Sequence, residues 1–178
     1  VSILGKNSNQ YLGGGSQLNV LNEFISKDNI NDLFIKGGIT GEIDLLSVDI
    51  DGNDYYVFEN IHVLNPRVVI IEYNAKFPGD FSWIMQYDPD HIWDGSDQHG
   101  ASLKALETLA KSKNYQLVGT NISGVNAFFV RSDLVGENFY TPATSEALYN
   151  PFRTGMGMCF ISGHPPRHYL GKPFEKKY

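Results

Sequence analysis

The chain has 178 residues, enough for one domain with a real core and short for two. Hydrophobic residues at 42% against charged residues at 19% describe an ordinary globular protein, and a net charge of -6 with no long basic run excludes a broad nucleic-acid surface. One cysteine, Cys159, excludes an internal disulfide framework, no tight histidine–cysteine cluster suggests zinc, and no apolar run approaches a bilayer's width, so the expectation is a cytoplasmic protein without membrane partners.

Val1–Leu4 reads as a short strand and Gly5–Ser16, rich in glycine, asparagine and serine, as loop; together with Gln17 they make a flexible lead segment over 1–17. Leu18–Ile25 is expected as a strand, with Val20, Leu21, Phe24 and Ile25 apolar. Ser26 reads as the N-cap of a helix carrying Ile30, Leu33 and Phe34, which Gly37-Gly38 ends. Ile43–Ile50 is expected as a strand, followed by a helix capped by Asn53 or Asp54 with Tyr56, Val57 and Ile61 on its apolar face. After Pro66, Arg67–Tyr73 is a near-continuous apolar strand. Strand, helix and strand in so short a span form a βαβ unit with a right-handed crossover.

Residues 74–100 lack a clean period and hold Phe77, Phe81, Trp83, Tyr87 and Trp93 between turn signals. So long a loop is unusual in a compact domain. Its aromatics either cover a substrate or pack the loop down, and the sequence leaves both open. Ser102 then opens a helix with Leu103, Leu106, Leu109 and Ala110 inside. Tyr115–Thr120 and Asn126–Val130, joined through Ser123-Gly124, read as an antiparallel hairpin. An irregular extension over 135–178 includes a short helix near Ser145–Tyr149 and the extended segment Gly163–Arg167. The domain proper is thus 18–134, with about five strands, mostly parallel and ending in an antiparallel hairpin.

The chemistry-bearing pattern is Ile43-Asp44-Leu45-Leu46-Ser47-Val48-Asp49-Ile50-Asp51-Gly52-Asn53-Asp54-Tyr55, echoed by Pro66-Arg67-Val68-Val69-Ile70-Ile71-Glu72-Tyr73-Asn74. Buried strands delivering acids to their C-terminal ends beside a helix start are how open α/β sheets build small-molecule sites. With Trp93-Asp94-Gly95, Gly100-Ala101-Ser102-Leu103 and Asn126–Arg131, these phrases resemble the FkbM-like group of class I, S-adenosylmethionine-dependent methyltransferases over Asn29–Leu134. The resemblance implies a seven-stranded Rossmann-like sheet whose last strand is reversed, with Leu18–Ile25, the Asp44–Asn53 segment and Arg67–Asn74 as its third, fourth and fifth strands. It further implies O-methyl transfer to a small molecule or sugar.

That group holds its cofactor on a glycine-rich loop after the first strand, and the chain ahead of Ile43 is too short for the strand–helix units that carry it. Gly13-Gly14-Gly15 follows no convincing strand and leads into no helix, so it reads as a flexible connection. The expectation is an incomplete class I methyltransferase sheet lacking the N-terminal cofactor-loop portion, with a homo-oligomer formed through the exposed sheet edge. The alternative is a non-catalytic remnant of the fold that serves in binding or assembly.

The resemblance and strand-end logic nominate Asp49, Glu72 and His99 as catalytic and Asp49, Asp51, Gly52 and Asn74 as cofactor-binding, with no metal expected. Asp51 equally braces the turn or caps the helix, and Gly52 provides a tight turn or a positive φ. Asp49, Glu72 and Asn74 together form an oxygen-rich set of the type that takes magnesium, although the spacing is no metal signature. His91 and His99 border the long loop, where a neutral imidazole accepts a hydroxyl proton; each equally serves packing, and His99 lies nearer the helix start. Asp94 and Asp97 read equally as loop acids. His62 suits a helix C-terminus, and His164 and His168 flank a proline pair.

Overall fold

The computed structural model describes residues 18–153. The expected Val1–Leu4 strand, the Gly13–Gly15 segment, Cys159, His164 and His168 lie outside the described residues.

The elements run α1 (Ile30–Lys36), β1 (Gly41–Val48), α2 (Asp54–Asn60), β2 (Leu64–Glu72), α3 (Leu103–Ser112), β3 (Tyr115–Thr120), β4 (Asn126–Arg131) and α4 (Ser145–Leu148), with a 3-10 turn at Ser132–Leu134. The chain is α/β with one open, mixed four-stranded sheet in the order β1-β2-β4-β3. β1 and β2 are parallel, in unbroken register from Gly41↔Leu64 to Val48↔Ile71. β4 runs against both β2 and β3.

One expectation needs correction. Leu18–Ile25 forms no strand: Leu18, Val20, Leu21 and Phe24 are exposed, while Ile25 packs against the core. An isolated apolar run becomes a strand only when a ladder satisfies its backbone, and this one turns towards α1 instead. There Asn29 fixes the helix entry, accepting from Ser26 N at 2.8 Å and donating from Nδ2 to Phe24 O at 2.7 Å. The cap position is accordingly Asn29 rather than Ser26. The expected antiparallel hairpin is present: β1, β2 and β3 share one direction and β4 alone is reversed, which makes the sheet mixed. The tight turn at Asn121–Asn126 reverses the chain, and β4 lies between β3 and β2. Asn121 Oδ1 accepts from both Val125 N and Asn126 N, and Gly124 turns at φ +72° where a Cβ would stand 2.5 Å from Pro151 O.

Alternation along the strands decides which face is core. Leu46, Val69 and Phe129 share one row and Val48, Ile71 and Ala127 the next, all buried against Val57 and Phe58 of α2 and Leu103, Leu106 and Ala110 of α3. α3 starts as expected: Ser102, fully buried, accepts on Oγ from Ala105 N at 3.3 Å and from Trp83 N at 2.9 Å. The opposite face carries Leu45, Val68 and Ile70 with Phe128; Leu45 is 53% exposed and the other three are half-buried. Helices thus cover one face of the sheet among the described residues.

Candidate functional site

β1 ends at Val48, two residues earlier than its apolar pattern suggests, because a downstream carboxylate takes the backbone donors. Asp54, at the first position of α2 and 1% exposed, accepts from Ile50 N at 2.9 Å and from Gly52 N at 3.0 Å. It turns back to brace the bend rather than capping its helix, while Asn53 is the cap residue and makes no side-chain cap bond. The positive φ falls on Asp51, at +57°, and not on Gly52. A left-handed aspartate is uncommon and persists when its surroundings hold it.

Gly52 is required for another reason. The His91 ring lies on its Cα, and a Cβ there would sit 2.2 Å from His91 Cδ2. His91 Nε2 reaches Asp51 O at 3.1 Å, so Nε2 carries the proton, because a carbonyl only accepts. Asn53 Nδ2 donates to Asp88 O at 2.7 Å and the Tyr56 hydroxyl to Met85 O at 2.8 Å. These three contacts hold the 85–91 part of the long loop against the acidic turn.

The parallel register that ends with Val48↔Ile71 brings Asp49 level with Glu72 at the next step. The outcome is a carboxylate rim: Asp49, Asp51 and Glu72 each place one oxygen within 4.8 Å of the others. The first two are exposed and Glu72 is half-buried. No ion pair among the described residues reaches any of the three. Burial pushes the Glu72 carboxyl up to about 8, and the charges of Asp54, Asp49 and Asp51 add to the effect. Asp49 is raised as well, first by desolvation at the strand exit and then by Asp51. Asp54 is raised by burial against the opposing pull of its backbone donors.

A carboxyl poised near neutrality can receive a proton from a hydroxyl. Three oxygens at this spacing also have the dimensions of a cradle for a hard divalent cation, with Asp51 in the place expected for Asn74.

Asn74 is committed elsewhere. It is 2% exposed; Nδ2 donates to Asp97 O at 2.8 Å and His99 O at 2.9 Å, and Oδ1 accepts from Lys76 N at 3.0 Å. It ties the returning end of the long loop to the exit of β2. His99 is held there by its backbone, and its ring meets Trp93 edge-on at 5.9 Å. The rim is therefore built from Asp49, Asp51 and Glu72 over Gly52, while Asn74 and His99 belong to the loop anchor beside it. The loop aromatics pack on one another: Phe77 stacks on Trp83 at 4.5 Å and on Phe81 at 5.7 Å. His62 is exposed, with Nδ1 3.0 Å from Asn60 O just beyond α2.

Sequence reasoning missed the bracing role of Asp54, whose signal was available as an acid four residues after the strand's apparent end. It placed His91 behind His99, and no local pattern ties His91 to a glycine 39 positions earlier. Among the described residues no helix is long and apolar enough to cross a membrane. No family model, curated protein or solved structure matches the chain.

Proposed function

We propose that this chain carries the strand-end part of a class I methyltransferase site that transfers a methyl group from S-adenosylmethionine to a hydroxyl of a small molecule or sugar. The observation that carries the reading is the Glu72 carboxyl, pushed up to about 8 and gathered with Asp49 and Asp51 at the rim of adjacent parallel strands. Two further features support it: the reversed last strand, present as β4, and the strand-end phrases through Asp54 and Asn74.

The residues present fit such a cofactor in part. An acidic rim suits a cationic sulfonium and the hydroxyls of a ribose, which carboxylates accept from directly. Asn74 has no free polar group to offer, since both ends of its amide are engaged. Asp49 and Asp51 are the remaining candidates, because the His91 ring occupies the space over Gly52. When bound, the cofactor supplies an electrophilic methyl carbon. Glu72, ionised, takes the acceptor's proton as its oxygen forms the new bond, and Asp49 and Asp51 orient hydroxyls at the rim.

The test is calorimetric titration of S-adenosylmethionine into this chain and into a version extended by its natural upstream sequence. Binding by the extended protein, with methyl transfer rising as pH passes through about 8 and lost in Glu72→Gln, supports the assignment. An extended protein that binds no cofactor refutes it. The open sheet edge at β1 favours the second reading, a fold that serves assembly without catalysis.

A further inference from the structure

Strand register places one further polar side chain beside the carboxylate rim. β2 and β4 pair from Val68↔Val130 to Glu72↔Asn126, and the rows Val69↔Phe129 and Ile71↔Ala127 face the helices. Side chains alternate along a strand, so Glu72 and Asn126 both project from the other face. Directly opposed residues of an antiparallel pair hold their Cβ atoms about 4.5–5.5 Å apart. On the far side of Glu72, Asp49 lies level with it, one step beyond the last β1 pair, Val48↔Ile71. Asp49, Glu72 and Asn126 thus form one row across three adjacent chains, with about 4.7–4.9 Å between neighbouring backbones.

The backbone under Asn126 is fixed by the turn before it. Asn126 N donates to Asn121 Oδ1 at 2.9 Å, and Asn126 O accepts from Asn121 N at 2.9 Å. Val125 N donates to the same Oδ1 at 2.8 Å, while Val125 O accepts from Tyr73 N at 2.8 Å, which carries the β2–β4 ladder one step past Glu72. A half-buried carboxamide on so fixed a support loses little freedom when a ligand binds. Asn74, the carboxamide expected at the rim, is engaged with the loop backbone instead.

We propose that Asn126 is a ligand-binding residue of this site: its carboxamide holds a second hydroxyl of the acceptor while Glu72 takes the proton of the first. The inference rests on the reading of the rim as a site of hydroxyl methylation. A carboxamide both donates and accepts, so it matches a hydroxyl with either of its atoms. Three hydrogen-bonding side chains in a row about 10 Å long suit a polyhydroxylated ring rather than a lone alcohol. In the transfer, the first hydroxyl's oxygen bonds the methyl carbon, the methyl–sulfur bond breaks with its electron pair left on sulfur, and the proton passes to ionised Glu72. The second hydroxyl is unchanged, and its hold on Asn126 sets which oxygen faces the methyl group.

Nuclear magnetic resonance titrations with methyl α-glucopyranoside and with cyclohexanol, a six-membered ring bearing one hydroxyl, test this on the chain and on the version extended upstream. The expected result is glucoside binding about five- to tenfold tighter than cyclohexanol, as one added hydrogen bond gives, with the Asn126 Nδ2 proton signals shifted by the glucoside. Asn126→Leu removes the preference, and Asn126→Gln, which keeps a carboxamide, recovers part of it. Thr108→Lys, exposed on α3, leaves it unchanged. Equal binding of the two ligands by the wild type, binding of neither, or a preference kept in Asn126→Leu overturns the proposal. An extended protein that binds no S-adenosylmethionine, while the preference exists and disappears in Asn126→Leu, refutes methyl transfer and supports the Asn126 contact. Cofactor binding without any glucoside preference refutes the Asn126 role alone. Should Asn126→Leu fail to fold, the wild-type Asn126 Nδ2 signals decide: a shift with glucoside supports the contact, and no shift overturns it.

Discussion

Replacing Glu72 by glutamine removes the one rim carboxyl that burial and three neighbouring acids hold towards its neutral form. Its pKa moves from 4.5 in an unfolded chain to about 8 in the folded protein. Between these values the folded state keeps a proton that the unfolded state has released. The stability contributed by the protonated carboxyl is therefore complete below about pH 4.5, declines as pH rises to about 8, and stays lost above that. At about 1.36 kcal/mol per unit the ceiling is near 5 kcal/mol, and water at the half-exposed rim lowers the expectation to about 2–3 kcal/mol. Glutamine keeps the shape and stays neutral throughout. Urea unfolding should then give matched midpoints for wild type and Glu72→Gln near pH 5, and a variant more stable by about 2–3 kcal/mol near pH 9, at equal m-values. Equal stabilities near pH 9, or a difference that does not depend on pH, would show that Glu72 is not held among like charges and would remove the basis for its role as a base.

Asp54→Ala strips the acceptor from two backbone donors in the β1–α2 bend and should cost about 2–4 kcal/mol in denaturant unfolding; a loss under about 0.5 kcal/mol would mean the bend holds itself. Asp54→Asn keeps one acceptor oxygen and should recover part of that loss. Gly52→Ala must displace the His91 ring, so exchange of the 85–91 amides should quicken several-fold with global stability changed by only about 1 kcal/mol, and unaltered exchange refutes the His91 contact. Ser102→Ala removes the acceptor of both the α3 cap and Trp83 N, at about 1–2 kcal/mol by thermal unfolding, and a neutral result denies that cap.

Much of this fold was legible because local patterns carried it. The Leu103–Ala110 spacing with Ser102 before it, the alternation through Tyr115–Thr120 and Asn126–Val130, and the Ser145 helix needed only near neighbours to be read. The acids closing two apolar runs marked a shared strand-end rim, because successive parallel strands joined by one short helix usually pair side by side, as β1 and β2 do. What stayed hidden depended on partners distant in sequence. Leu18–Ile25 has strand composition, yet a strand exists only where an edge pairs with it, and no residue in the segment encodes that absence.

The sequence by itself determined the type of each element from Ile30 to Leu148 and set acids at the ends of two successive strands, since these follow from periodicity and from chain connectivity. Only the tertiary structure decided how those acids behave. It inserted β4 beside β2, pressed His91 onto Gly52 from the far loop, and committed Asn74 to the backbone at Asp97 and His99. It also gathered three carboxylates where partial burial and mutual repulsion raise Glu72. Desolvation and like-charge proximity are properties of the assembled space around a group, and the linear order of residues does not contain them.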